Sequence, residues 1–183
     1  MKTVFATTCL AAILLLGIAP SRGQEKKPEV PEAVKNLMKF VGKWESNASL
    51  GMEGKTYKVL YKVDCKPIAD GNGVYVDEWF SSKELGTLKG SDLFGYDPFD
   101  TKIHVYSVDN MGTTHEHTGE WQTPDHLYVE HNSVREGKKY VEKLDFTFAK
   151  KDELQFKLVA TLDGQVVQTG EGVFHRKSAP GKM

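Results

Sequence analysis

Cysteine is scarce in this chain: Cys9 and Cys65 are the only two among 183 residues. That excludes a disulfide-dense small domain and a cysteine-rich structural zinc site. Charge of one sign is also lacking. With 24 basic side chains against 25 acidic ones, electrostatics gives no argument for nucleic acid or an anionic membrane surface as a partner. The sequence has neither an H-E-x-x-H run nor a G-x-S-x-G nucleophile elbow. Gly51-Met52-Glu53-Gly54-Lys55-Thr56 imitates a phosphate loop, but Ser49 stands where its first glycine belongs and no strand–loop–helix context surrounds it. What remains is one ordinary globular domain, 39% apolar, that must be held by its core.

One uncharged run stands apart. Lys2 precedes Thr3 to Ala19, dominated by Leu, Ile, Val and Ala, and Ser21 and Gly23 supply small side chains before a cut ahead of Gln24. Residues 1–23 therefore read as a signal peptide. The run sits at the lower limit of the about 17–25 residues that span a bilayer, and Pro20 follows at once, so a retained anchor is the weaker reading. The mature chain is expected to be exported, periplasmic or extracellular, without a stable membrane anchor. Cleavage removes Cys9, leaving Cys65 unable to form an internal disulfide and expected to be buried as a small apolar residue. Residues 24–30 read as a mobile spacer, 31–177 as the folded domain and 178–183 as a disordered tail.

Pro31 opens a short helix in which Ala33, Val34, Leu37, Met38 and Val41 recur at helical spacing, with Gly42 as its stop. Beyond Gly42 the period switches to two. Tyr57, Val59, Tyr61, Val63 and Cys65 share one face of a strand, and Lys58, Lys62, Asp64 and Lys66 the other. Leu144, Phe146 and Phe148 repeat the pattern, as do Leu154, Phe156, Leu158, Ala160 and Leu162. Turn signals such as Asp109-Asn110-Met111-Gly112, Glu136-Gly137 and Asp163-Gly164 separate these runs. About ten strands result, mostly in sequence-adjacent hairpins. An all-β, antiparallel up-and-down barrel is expected, because an open sheet of that size leaves two exposed edges.

The Gly42-Lys43-Trp44 run resembles the opening of lipocalin-like barrels, which set a terminal-strand Arg or Lys against that Trp; Arg176 is placed for the role. Phe94-Gly95-Tyr96-Asp97-Pro98, followed by Val108-Asp109-Asn110-Met111-Gly112-Thr113, resembles an uncharacterised bacterial family, domain of unknown function fifteen-seventy-nine. The resemblance spans about 36–177 and implies a lipocalin-type barrel; that family supplies no reaction. Ser107 replaces an expected Trp, and His115 and His117 stand where small or apolar residues are usual.

A ten-stranded barrel is wider than the eight-stranded kind whose side chains just fill the interior, so the leading expectation is binding of a small apolar molecule inside. Tyr57, Val59 and Tyr61 are the candidate wall, with Trp79 and Trp121 as further aromatic surface. Trp44 and Arg176 read as structural closure. Binding is favoured over catalysis, and no cofactor is expected by default. The sequence leaves the oligomeric state open.

Two alternatives involve histidine. His115 and His117, two apart on a strand, share a face. If Asp109 pairs with Gly112, His104 faces His117 and three imidazoles form a patch able to hold zinc, copper or iron; a one-residue slip sends His104 to the other face. No carboxylate stands out as a further ligand, and His126 and His131 lie on opposite faces of their strand. Haem is the second. The nitrobindins, small ten-stranded barrels, hold haem through a last-strand His; here the last-strand histidine is His175, about six residues past the expected place near Gly170. A ligand-free structural or interaction domain is the third reading.

Overall fold

The computed structural model describes residues 29–177. The signal peptide, most of the spacer and the tail expected from sequence lie outside the described residues. Pro31 precedes α1 (Glu32–Leu37), which tightens into a 3₁₀ turn, Met38–Phe40. Ten strands follow: β1 (Gly42–Met52), β2 (Lys55–Ile68), β3 (Gly73–Ser82), β4 (Gly86–Asp97), β5 (Lys102–Asp109), β6 (Thr114–Thr123), β7 (His126–Arg135), β8 (Lys138–Lys150), β9 (Glu153–Leu162) and β10 (Gln165–Arg176). Each strand pairs antiparallel with the next, and β1 pairs with β10 from Trp44–Arg176 to Met52–Gln168, so the sheet is a closed barrel. No helix among the described residues is long and apolar enough to cross a membrane.

The hairpins are set by local chemistry. Glu53-Gly54, Glu136-Gly137 and Asp163-Gly164 all adopt positive φ at both positions, the geometry that matches strand twist and favours glycine second. These tight turns ring one end of the barrel, the mouth. The other end, the base, holds α1 and the start of β1. Gly42, anticipated as the helix stop, instead opens β1 two residues after the 3₁₀ turn, with φ 136°. A Cβ there would collide with the Arg176 guanidinium, so glycine is required twice over.

The base is packed solid. Phe40 lies between Phe94, Phe146 and Phe148 at ring separations of 5.3, 5.5 and 4.9 Å. Trp44 is 1% exposed, donates its indole N–H to the Phe40 carbonyl at 2.7 Å, and carries the Arg176 guanidinium 4.0 Å from its ring centroid. That contact is worth about 0.5–2 kcal/mol. The same guanidinium donates to the carbonyls of Val41, Lys39 and Lys151, tying the helix connection to β10 and the β8–β9 turn. Trp44 and Arg176 thus pack face to face at the base of the barrel. Cys65 is buried, and burial pushes its thiol up to about 12.

Candidate functional site

Between the aromatic base and the mouth the barrel encloses a cavity of about 340 Å³. Its lower wall is apolar, with Val63, Val76, Phe94, Val105, Phe146 and Phe156 facing in. Nearer the mouth the same inward positions carry ionisable groups. They form two neighbouring groups, Tyr61, Glu78 and Asp92 on β2–β4 and His115, His117 and Glu142 on β6 and β8, which meet at Ser107 of β5, paired with both Asp92 and His115. Arg135 and Tyr140 stand beside the second group, with the guanidinium carbon 3.4 Å from the tyrosine ring centroid.

The β5–β6 turn decides which histidines enter. Asp109 accepts at one carboxylate oxygen from the amides of both Met111 and Thr113, each at 2.9 Å, and its own amide donates to the Thr113 carbonyl. Asp109 thus pairs across the turn with Thr113 rather than Gly112. The register becomes Val105–His117 and His104–Thr118, one residue from the expectation. Because side chains alternate, His104 faces outward while His115 and His117 stay inside. Outside, both His104 nitrogens meet carboxylates, Nδ1 with Glu116 at 2.5 Å and Nε2 with Asp100 at 3.0 Å. Glu116, with Asp100, raises the His104 pKa against the opposing pull of partial burial. The expected three-histidine patch with His104 does not form.

A different cluster takes its place. His117 Nε2 donates to Glu142 Oε1 at 3.0 Å, and His115 Nε2 lies 3.7 Å from the same oxygen. Glu142 Oε2 accepts from the Tyr140 hydroxyl at 2.5 Å. Burial alone pushes the Glu142 carboxyl up, but the hydrogen bonds from His117 and Tyr140 outweigh it and bring it to about 2. His115 is held below the usual imidazole range by burial and by neighbouring His117. His131 joins from β7, its ring 5.2 Å from that of His115 and 5.8 Å from that of His117, with Nδ1–H donated to the Glu116 carbonyl at 2.7 Å. Nδ1 of His115 and Nδ1 of His117 are buried without any hydrogen-bond partner.

Further along the same wall, on β2 and β3, Glu78 accepts from the Tyr61 hydroxyl. Burial and the nearby Asp92 carboxyl push Glu78 up to about 7, and burial raises Asp92 as well, against a hydrogen bond from Ser107. Two charges side by side in a dry wall repel, so both carboxyls resist ionisation.

Of the aromatic wall expected from sequence, Tyr61 lines the cavity. Val59 is buried on the same inward face, and Tyr57 follows it toward the mouth without reaching the cavity lining. Trp121 faces inward but is spent on the base: it lies against Phe40 and Phe148 and donates its N–H to the Ala33 carbonyl at 3.2 Å. Trp79 is on the outer surface, because Val74, Val76 and Glu78 take the inward positions of β3, and the Lys62 ammonium sits 5.5 Å from its ring. His175 is likewise exposed on the outer face of β10, paired with Glu45, and so cannot reach a haem held in the interior.

Glu142, Glu78 and Asp92 were not singled out from the sequence, and His131 was named only to be set apart from the histidine patch. Their signal was present: each falls in phase with an inward apolar stripe, Glu142 between Tyr140 and Leu144, and His131 after Leu127 and Val129.

Neither the family models nor the curated proteins yield a match to this sequence, so membership of the bacterial domain of unknown function is not confirmed. Solved structures do match. The S-type phycobiliprotein lyase CPES from Guillardia theta is 15% identical with a TM-score of 0.56, over 80% of this chain and 93% of that one. Rv2717c from M. tuberculosis is 14% identical with a TM-score of 0.59, over 82% of this chain and 100% of that one. At such identities the likeness establishes the fold alone: a closed ten-stranded antiparallel β-barrel, lipocalin-like in architecture.

Proposed function

We propose that the protein is an exported carrier that binds a small amphipathic molecule inside its barrel. The observation that carries this reading is the division of one cavity wall, apolar toward the base and ionisable toward the mouth. An apolar body would displace water from the Phe and Val surface, while its polar head would meet Arg135, the histidines or the carboxyl pair. The sequence led us to expect a largely apolar guest; the half-buried to buried Glu78, Asp92 and Glu142 favour one with a hydrogen-bonding or charged end. The cavity, about 340 Å³, falls at the small end of the roughly 300–1,000 Å³ range of ligand pockets. Barrels of this fold include a phycobiliprotein lyase, which is in keeping with a small-molecule partner. The signal-like residues 1–23 support export.

Titration of the mature chain with anilinonaphthalene sulfonate, an apolar probe with one anionic head, tests the reading. One equivalent should bind with a rise in fluorescence, and Leu158→Trp, which adds bulk to the cavity wall, should abolish it. Undiminished binding by a folded L158W chain would place the probe outside the barrel and defeat the proposal.

A further inference from the structure

We propose that His115, His117 and Glu142 form a binding site for a divalent transition-metal ion of the zinc class, with its open coordination position facing the cavity. This goes beyond the carrier reading and does not depend on an organic guest. The three side chains offer one ligand atom each, and these atoms all lie within 4.8 Å of one another. Both imidazole Nε2 atoms converge on a single carboxylate oxygen, at 3.0 and 3.7 Å. A tetrahedral zinc ion about 2.0–2.2 Å from nitrogen and oxygen ligands needs those ligands roughly 3.3 Å apart, so the cluster is near the required spacing before any ion enters. Two neutral imidazoles and one carboxylate are also the donor set that leaves a fourth position for water or a bound molecule.

The fold makes the arrangement durable. His115 and His117 are two apart on β6, and Glu142 reaches them from β8, across the intervening β7. The curvature of a closed wall, not sequence proximity, brings them together. His131 fills the gap on β7. Since the Glu116 carbonyl can only accept, His131 Nδ1 carries the proton and its Nε2 keeps a lone pair, which sets a third imidazole of the ligating tautomer beside the cluster.

Among the described residues a second group has suitable donors, Asp97, Asp100 and His104, and its chemistry differs. Both His104 nitrogens are engaged by carboxylates, which favours the imidazolium and leaves no lone pair for a metal. That group reads as a surface ion pair.

One feature limits affinity. Ligating through Nε2 puts the proton of His115 and His117 on Nδ1, and neither Nδ1 has an acceptor. Absence of such outer partners typically costs about 10–100-fold each, so binding weaker than that of dedicated zinc proteins is expected.

The test uses the untagged mature chain, stripped with chelator and titrated with zinc by calorimetry, with cobalt as a spectroscopic substitute. One equivalent of zinc should bind, cobalt should give the intense visible absorption of a low-coordinate site, and the thermal midpoint should rise with zinc concentration. His115→Ala and the near-isosteric Glu142→Gln should each weaken binding at least tenfold, while His104→Ala leaves it unchanged. His115 is half-buried and Glu142→Gln preserves shape, so both should fold, which circular dichroism verifies. No zinc uptake by the folded chain would overturn the proposal. So would unchanged affinity in both cavity variants, or a loss confined to His104→Ala.

Discussion

The two halves of the barrel interior rest on the same ten strands and treat burial in opposite ways. At the base every large ring has a neighbour and the closing residues hand their donors to backbone carbonyls: Trp44 to Phe40, Trp121 to Ala33, and Arg176 to three carbonyls, with its Nε beside the Asp152 carboxylate at 3.0 Å. Toward the mouth, inward positions hold Glu78 displaced to about 7, Asp92 displaced the same way, and two imidazole nitrogens with nothing to bond. A wall built for stability alone would carry Val or Leu there, as the base does, because unpaired buried polar groups cost free energy. The contrast teaches that the base holds the fold together while the upper interior spends stability on polar groups, which the proposed carrier role would put to use.

Substitutions can break or sharpen that contrast. The largest effect is expected at the base: Trp44→Ala removes a fully buried indole and the platform beneath Arg176, and should cost about 3–5 kcal/mol in urea unfolding. A loss below 1 kcal/mol would mean the base is not the structural anchor. In the upper interior the sign reverses. Glu78 titrates near 7 in the folded chain against an ordinary 4.5, so its charged form destabilises the barrel above pH 7, and this penalty disappears as pH falls through 7 toward 4.5. Glu78→Gln should thus stabilise the chain by about 3 kcal/mol at pH 8 and by less than about 0.5 kcal/mol at pH 4.5, at roughly 1.4 kcal/mol per pH unit of displacement. A pH-independent difference between the two proteins would contradict the assignment.

Arg176→Ala should destabilise by about 1.5–3 kcal/mol, because it strands carbonyls that now receive a charged donor. Arg176→Lys should recover only part, since an ammonium cannot fork between Val41 and Lys39. The smallest effect belongs to the outer face. His104→Ala should cost no more than about 1 kcal/mol, as partly exposed ion pairs do. Its contribution should be full below pH 6.5 and lost as pH rises through the elevated pKa of His104.

Much of the fold was legible because period-two burial is a strong signal when one face of every strand is wet. The helix, the strand number, the closure and the Trp44–Arg176 contact could all be read from the chain. The site was less legible, and one turn accounts for part of that. Asp109 folds two amides onto one carboxylate oxygen and so takes Thr113 into the pair, one residue beyond the simplest hairpin. That single residue moves His104 outside while leaving His115 and His117 within. Trp79 misled for a related reason: with Glu78 occupying the inward phase of β3, the apolar stripe of Val74 and Val76 looks broken, and the outward-facing, half-buried indole looks like its continuation. The more useful rule concerns charge on an apolar stripe. Glu142, in register with Tyr140, Leu144 and Phe146, is the kind of residue that alternation points to once it is read for violations as well as for agreement.

Native mass spectrometry of the untagged protein, taken from its own compartment, tests the central claim most directly. The account predicts an adduct of a few hundred daltons on the wild-type chain and its loss from Leu158→Trp. A bare chain that also takes up neither probe nor zinc would contradict it, leaving the upper interior as an unoccupied polar wall.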